Sequence, residues 1–106
     1  MKQKTFIDLS KYKVGDYVHL YVNSGVRDNI MMVYNMTMEE YNKWRITDRR
    51  ARILEYGRYG IRCKVEIILK NRIISFFIDK DDIEEFLTTW QVEDFEFDLS
   101  VIRYNL

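Results

Sequence analysis

Apolar and polar residues alternate from Gly15 to Val22, with Val18, Leu20 and Val22 on one side and Tyr17, His19 and Tyr21 on the other. That is the period of a half-buried strand. Asn23-Ser24-Gly25 predicts a turn, and a second strand within Val26 to Tyr34 would complete a hairpin. Thr37-Met-Glu-Glu40 has the capping-box pattern, so a short helix is expected to run to about Trp44. A strand follows over Arg50 to Tyr56, then a turn at Gly57-Arg-Tyr-Gly60. In the next strand Ile61, Cys63, Val65, Ile67 and Leu69 alternate with Arg62, Lys64, Glu66, Ile68 and Lys70. Lys70-Asn71 turns the chain into Ile73 to Ile78, an almost unbroken apolar run that predicts a central strand buried on both sides. Asp79 reads as the N-cap of an amphipathic helix with Ile83, Phe86, Leu87 and Trp90 at i, i+3, i+4 and i+7. Phe95, Phe97, Leu99 and Val101 alternate with Asp94, Glu96, Asp98 and Ser100, which predicts a final strand. The order is ββαβββαβ, an α+β fold on a mostly antiparallel sheet.

With 106 residues, the chain has the length of a single domain, 1–106. At 47% hydrophobic and 32% charged residues it has the composition of a globular domain. No apolar run approaches the roughly 18 residues of a membrane span, and Met1 to Leu9 lacks the apolar stretch of a signal peptide. The expectation is a cytoplasmic protein with no membrane association. The one cysteine, Cys63, excludes an internal disulfide and fits a reducing compartment.

Catalytic chemistry finds little material. His19 and Cys63 are the only His and Cys, and their strand parities set Cys63 with the apolar Ile61, Val65 and Ile67 and His19 with Tyr17 and Tyr21. A structural zinc site needs four such ligands. Asp79, Asp81, Asp82, Glu84 and Glu85 lack the glycine of a calcium-binding loop, and Gly57-x-x-Gly60 is not followed by the Lys-Ser or Lys-Thr of a phosphate loop. Neither enzyme activity nor a cofactor or metal is expected.

Charge changes the picture, because a net charge of zero conceals two blocks. From Lys43 to Arg72 ten Lys and Arg stand against three acids, a net of +7, and from Asp79 to Asp98 nine acids stand against Lys80, a net of −8. Blocks of this kind act on partners more than on fold. In the basic block, Arg49, Arg50, Arg52, Arg58, Arg62 and Lys64 are interleaved with Tyr56 and Tyr59, a mix in which cations neutralise phosphates and rings stack on bases. The same residues also suit a solvated sheet face paired with Glu55 and Glu66 across strands. Lys13-Val-Gly-Asp-Tyr-Val18 resembles the first strand of SH3-like small barrels, some of which bind nucleic acid or peptides.

In the acidic block, Asp81, Asp82, Glu84 and Glu85 would sit in the first turns of the expected helix. Asp94, Glu96 and Asp98 would form a row on the last strand at intervals of about 6.8 Å, which Glu93 extends at its start. In size and charge layout this segment resembles the phosphate-mimicking surfaces of small phage and mobile-element counter-defence inhibitors, anti-CRISPR proteins among them. The resemblance implies a non-catalytic inhibitor that docks on a host protein or ribonucleoprotein complex through Asp81, Asp82, Glu85, Glu93, Asp94, Glu96 and Asp98. The alternative is a small nucleic-acid-binding regulatory domain that uses the basic residues. The opposite blocks of two copies could also pair in a homodimer, and an acidic flank could simply keep the protein soluble.

Overall fold

The computed structural model describes residues 11–21, 24–57 and 59–104, so the expectations for Val22, Asn23 and Arg58 lie outside the described residues. The element order is β1 (Tyr17–Leu20), α1 (Ser24–Tyr34), α2 (Met38–Thr47), β2 (Arg50–Tyr56), β3 (Arg62–Leu69) and β4 (Arg72–Asp79). A 3-10 turn (Lys80–Asp82), β5 (Ile83–Phe86) and α3 (Thr89–Tyr104) complete it. All strand pairings are antiparallel, in the order β4-β3-β2-β1-β5. The protein is thus α+β on an antiparallel sheet, as its patterning predicts, with three helices among the described residues. The helices α1 and α2 are set between β1 and β2, which are neighbours in the sheet. Among the described residues no helix is long and apolar enough to cross a membrane.

Four elements are as expected. Val18 and Leu20 are buried on β1, and β2 has the predicted bounds. At the start of α2 the Glu40 amide donates to Thr37 Oγ1 at 3.1 Å and the Thr37 amide donates to Glu40 Oε1 at 3.0 Å, which satisfies two orphan donors reciprocally. The β3–β4 hairpin turns at Lys70 and Asn71, both in the left-handed region (φ 53° and 60°) that a two-residue turn of this type requires.

Four expectations fail, each for a physical reason. The segment from Val26 to Tyr34 is helical: Val26 and Ile30, a full turn apart, are the buried residues of α1, and helical spacing outweighed the strand preference of its branched residues. The Ile73 to Ile78 run is an edge strand, not a central one; it alternates, with Ile74 and Ile78 buried against the core and Ser75 and Phe77 exposed. Asp79 is an N-cap, but of the 3-10 turn Lys80–Asp82 alone, and no amphipathic helix follows it. Ile83 and Leu87 are both buried at i, i+4, which mimics a helix, but Ile83–Phe86 pairs with β1 as β5. The last segment is a helix and not a strand.

The sheet therefore has two unlike faces. One carries Val18, Leu20, Ala51, Ile53, Cys63, Val65, Ile67 and Ile78 and is covered by Val26 and Ile30 of α1 and Tyr41 and Trp44 of α2 in one continuous core. A bulge after Ile53 shifts the parity of β2, so that Tyr56 opposes Cys63 on this face while Glu55 opposes Lys64 on the other. The second face carries Tyr17, Arg50, Arg52, Glu66, Ile68 and Ile73 and receives α3, whose Phe95 and Leu99 join Leu87 in a separate small cluster.

Candidate protein-binding face

Local sequence fixes α3 by a signal that the alternating pattern masks. Thr88 and Gln91 form a second capping box: the Thr88 amide donates to Gln91 Oε1 at 2.8 Å and the Gln91 amide to Thr88 Oγ1 at 3.4 Å. From there the apparent strand alternation divides between two sides of a helix. Phe95 and Leu99 point to the sheet, and Phe97 and Val101 point away from it.

Seating α3 on the second face brings the two charge blocks together. Arg50 is fixed by two donations to Asp48, at 2.8 and 2.9 Å, donates to Asp98 at 2.9 Å, and lies 5.0 Å from the centre of the Phe95 ring. Its hydrogen bonds to Asp48 raise the pKa of this guanidinium, against the lowering effect of burial, and Asp98 adds to the rise. Glu66, only 4% exposed, accepts from Arg103 at 3.0 Å and lies 3.5 Å from Arg52. The second contact is ionic without hydrogen-bond geometry, since Glu66 Oε2 and Arg52 Nε have no hydrogen-bond partner among the described residues. Tyr17 donates to Glu96 at 2.7 Å, and burial first, then that bond, pushes its hydroxyl up to about 12. Arg49 pairs with Glu84 at 3.2 Å and Arg62 more loosely with Asp79 at 3.8 Å.

The expected site residues consequently separate. On the acidic side, Glu96 and Asp98 face the sheet and are held by Tyr17 and Arg50, so the expected row on one strand face does not exist. Asp82 is buried and accepts from the Asp79 amide at 3.1 Å, a structural role. Asp81 is exposed beside Lys80, and Glu85 lies 3.6 Å from His19. Glu93 and Asp94 are exposed on the outer side of α3 with no ion pair among the described residues. On the basic side, Arg49, Arg50 and Arg52 are engaged internally, and Tyr56 is partly buried and donates to the Tyr12 carbonyl. Tyr59, Arg62 and Lys64 remain. Tyr59 and Arg62 border an open cleft of about 350 Å3 with Gly57, Ile61 and Phe77. The blocks +7 and −8 do not form two free flanks; Arg49–Glu84, Arg50–Asp98 and Arg62–Asp79 join them across the fold.

His19 and Cys63 lie on opposite faces of the sheet. Burial first, and then the charges of Asp82 and Asp79, push the Cys63 thiol up to about 11, which suppresses the thiolate. Among the described residues no three His, Cys, Asp or Glu side chains converge in a metal-binding group.

The pattern analysis missed the outer side of α3. Trp90, Phe97, Val101 and Tyr104 are 64, 68, 41 and 88% exposed, although all are apolar or aromatic. Separated by seven, four and three residues, they fall within an arc of about 60° at 100° per residue. Glu93 and Asp94 flank this stripe at its N-terminal half. Spacing by seven, four and three is visible in the sequence once Thr88-x-x-Gln91 is taken as a helix start. Comparisons with protein-family models, with curated proteins and with solved structures find no match for this chain.

Proposed function

We propose that this protein acts without catalysis, as an inhibitor that binds a host nucleic-acid-processing defence complex through the outer face of α3. The observation that carries the reading is the stripe of Trp90, Phe97, Val101 and Tyr104, left in water on a helix whose opposite side already supplies the sheet contacts. Contiguous exposed apolar surface rimmed by polar residues marks interaction sites, and Trp and Tyr dominate the energetics of such sites. A helix offering anchors at these spacings suits an apolar groove. Glu93 and Asp94 favour a groove with a basic rim and would speed encounter with it. That preference supports an Arg-rich partner built to hold a polyanion, the kind that the resemblance to counter-defence inhibitors implies.

The nucleic-acid reading keeps less support. Its strongest cations, Arg49, Arg50 and Arg52, are committed to Glu84, Asp48 with Asp98, and Glu66. Tyr59, Arg62 and Lys64 leave too few phosphate contacts for the steep salt dependence of a nucleic-acid binder.

The test is affinity capture from bacterial lysates on immobilised wild-type protein and on the double variant Trp90→Ala/Phe97→Ala, with nuclease activity of the captured material assayed. Capture and inhibition of a nuclease complex by wild type, with loss of at least tenfold in the variant at unchanged circular dichroism, is the expected result. Equal capture by the variant would remove this face from the reading. A direct, salt-sensitive mobility shift of single-stranded DNA, duplex DNA or RNA would favour the cleft at Tyr59 and Arg62 instead.

A further inference from the structure

We infer that the outer face of α3 is covered by a second copy of this chain, in an antiparallel two-fold helix pair centred on Phe97, which an external partner must displace. The inference rests on reading that face as a binding surface, and it adds a form of regulation to it: self-association that keeps the stripe masked.

Three observations select a second copy as the occupant. The stripe is straight and long enough, since Trp90 to Tyr104 spans about 21 Å at 1.5 Å per residue. It is also self-complementary in one orientation only. When two copies run antiparallel about Phe97, Trp90 meets Tyr104 of the second copy at both ends and Phe97 meets Phe97. Glu93 then falls opposite Val101, and Asp94 opposite Ser100. No outward-facing carboxylate meets another, since Glu96 and Asp98, which share a level in this register, are turned to the sheet and held by Tyr17 and Arg50, and each pair of facing rings can stack or pack edge to face. Run parallel, the same helices would bring Glu93 and Asp94 of the two copies to one level, a like-charge contact along both edges of the apolar seam. Finally, the area is in range. Three aromatic rings and a valine at these exposures offer on the order of 500 Å2 per copy, or about 1,000 Å2 for the pair, the lower end of specific interfaces. An interface of that size exchanges readily, which a displaceable mask requires.

Two-fold symmetry provides a sharp test. Phe97 lies on the axis, where helices packed about 8 to 10 Å apart bring the two facing Cα atoms within disulfide reach. In the full chain Phe97→Cys, mild oxidation is expected to give a covalent dimer, while Glu93→Cys is not, because its two copies sit about 12 Å apart along the antiparallel pair. Native Cys63 is buried and serves as the silent control. Sedimentation of the wild type is expected to show a monomer–dimer equilibrium in the micromolar range, and Phe97→Glu is expected to sediment as a folded monomer. A wild type that stays monomeric into the millimolar range, without cross-linking of Phe97→Cys, would overturn the inference. Cross-linking through Glu93→Cys in place of Phe97→Cys would overturn the antiparallel arrangement. Neither result touches the proposed function, which stands or falls on whether Trp90→Ala/Phe97→Ala loses the captured complex.

Discussion

The two faces of the sheet solve the same problem with different chemistry. Under α1 and α2 the sheet presents Val18, Leu20, Ile53, Val65 and Ile67, all fully buried in an apolar contact. Under α3 only Leu87, Phe95 and Leu99 are buried apolar residues, and the helix is oriented by Tyr17–Glu96, Arg50–Asp98 and Glu66–Arg103. Apolar burial is strong and undirected, whereas charge-assisted bonds are directional and only modestly stabilising once desolvation is counted. The first face thus supplies stability. The second fixes which side of α3 looks outward, and so whether Trp90, Phe97, Val101 and Tyr104 reach solvent.

The largest effect that would test this contrast is expected from Ile53→Ala, which opens a cavity in the larger apolar core and should cost about 2 to 5 kcal/mol in urea unfolding. Leu99→Ala, in the smaller cluster beside solvent, should cost clearly less; equal losses would show that the two clusters are one core. Next comes Arg103→Ala. It leaves the buried Glu66 carboxylate with Arg52 alone, at a cost of about 1 to 3 kcal/mol. The double variant Glu66→Met/Arg103→Met should recover most of that loss, because the apolar replacement removes the desolvated charge together with its partner. Recovery to neither level would mean that the pair does not seat the helix.

The smallest effect is a pH dependence. Tyr17 ionises near 10.0 in an unfolded chain and near 12 in the fold, so its contribution is fully present below pH 10 and is lost as pH rises towards 12. Cys63, raised from 9.0 to about 11, acts in the same direction over a lower window. The urea midpoint should therefore fall between pH 9 and 12, and Tyr17→Phe should flatten the upper part of that fall. A wild-type midpoint that stays constant across the range would contradict both shifts.

Where one local signal spoke alone, it could be read. Thr37 with Glu40, the Lys70-Asn71 turn and the strict alternation of Cys63, Val65 and Ile67 each matched one structure and no other. Legibility failed where one pattern serves two periods. Phe95 to Val101 alternates because a helix buried on one side and apolar on the other places Phe95 and Leu99 opposite Phe97 and Val101; without knowledge of the second apolar side, that is a strand. Ile83 and Leu87 are four apart by the accident of a strand ending beside a helix cap. The charge blocks are plain in the sequence, but position along the chain does not show that Asp98 meets Arg50 or that Arg103 meets Glu66. For the same reason the candidate site moved from the acids to the aromatic residues between them.

The partners that seat α3 are far apart along the chain: Tyr17 and Glu96 by 79 residues, Arg50 and Asp98 by 48, and Glu66 and Arg103 by 37. Closing loops of that length is slow compared with zipping the β2-β3-β4 meander, whose neighbours are joined by short turns. The meander therefore forms with its second face still bare. Because that face sets Arg50, Arg52, Arg62, Lys64 and Glu66 among Ile68, Ile73 and Phe77, its apolar groups meet water interrupted by hydrated charges. On that face a half-folded chain is expected to be a poorer template for aggregation than on the apolar one, and the difference comes from the same ions that later hold the helix.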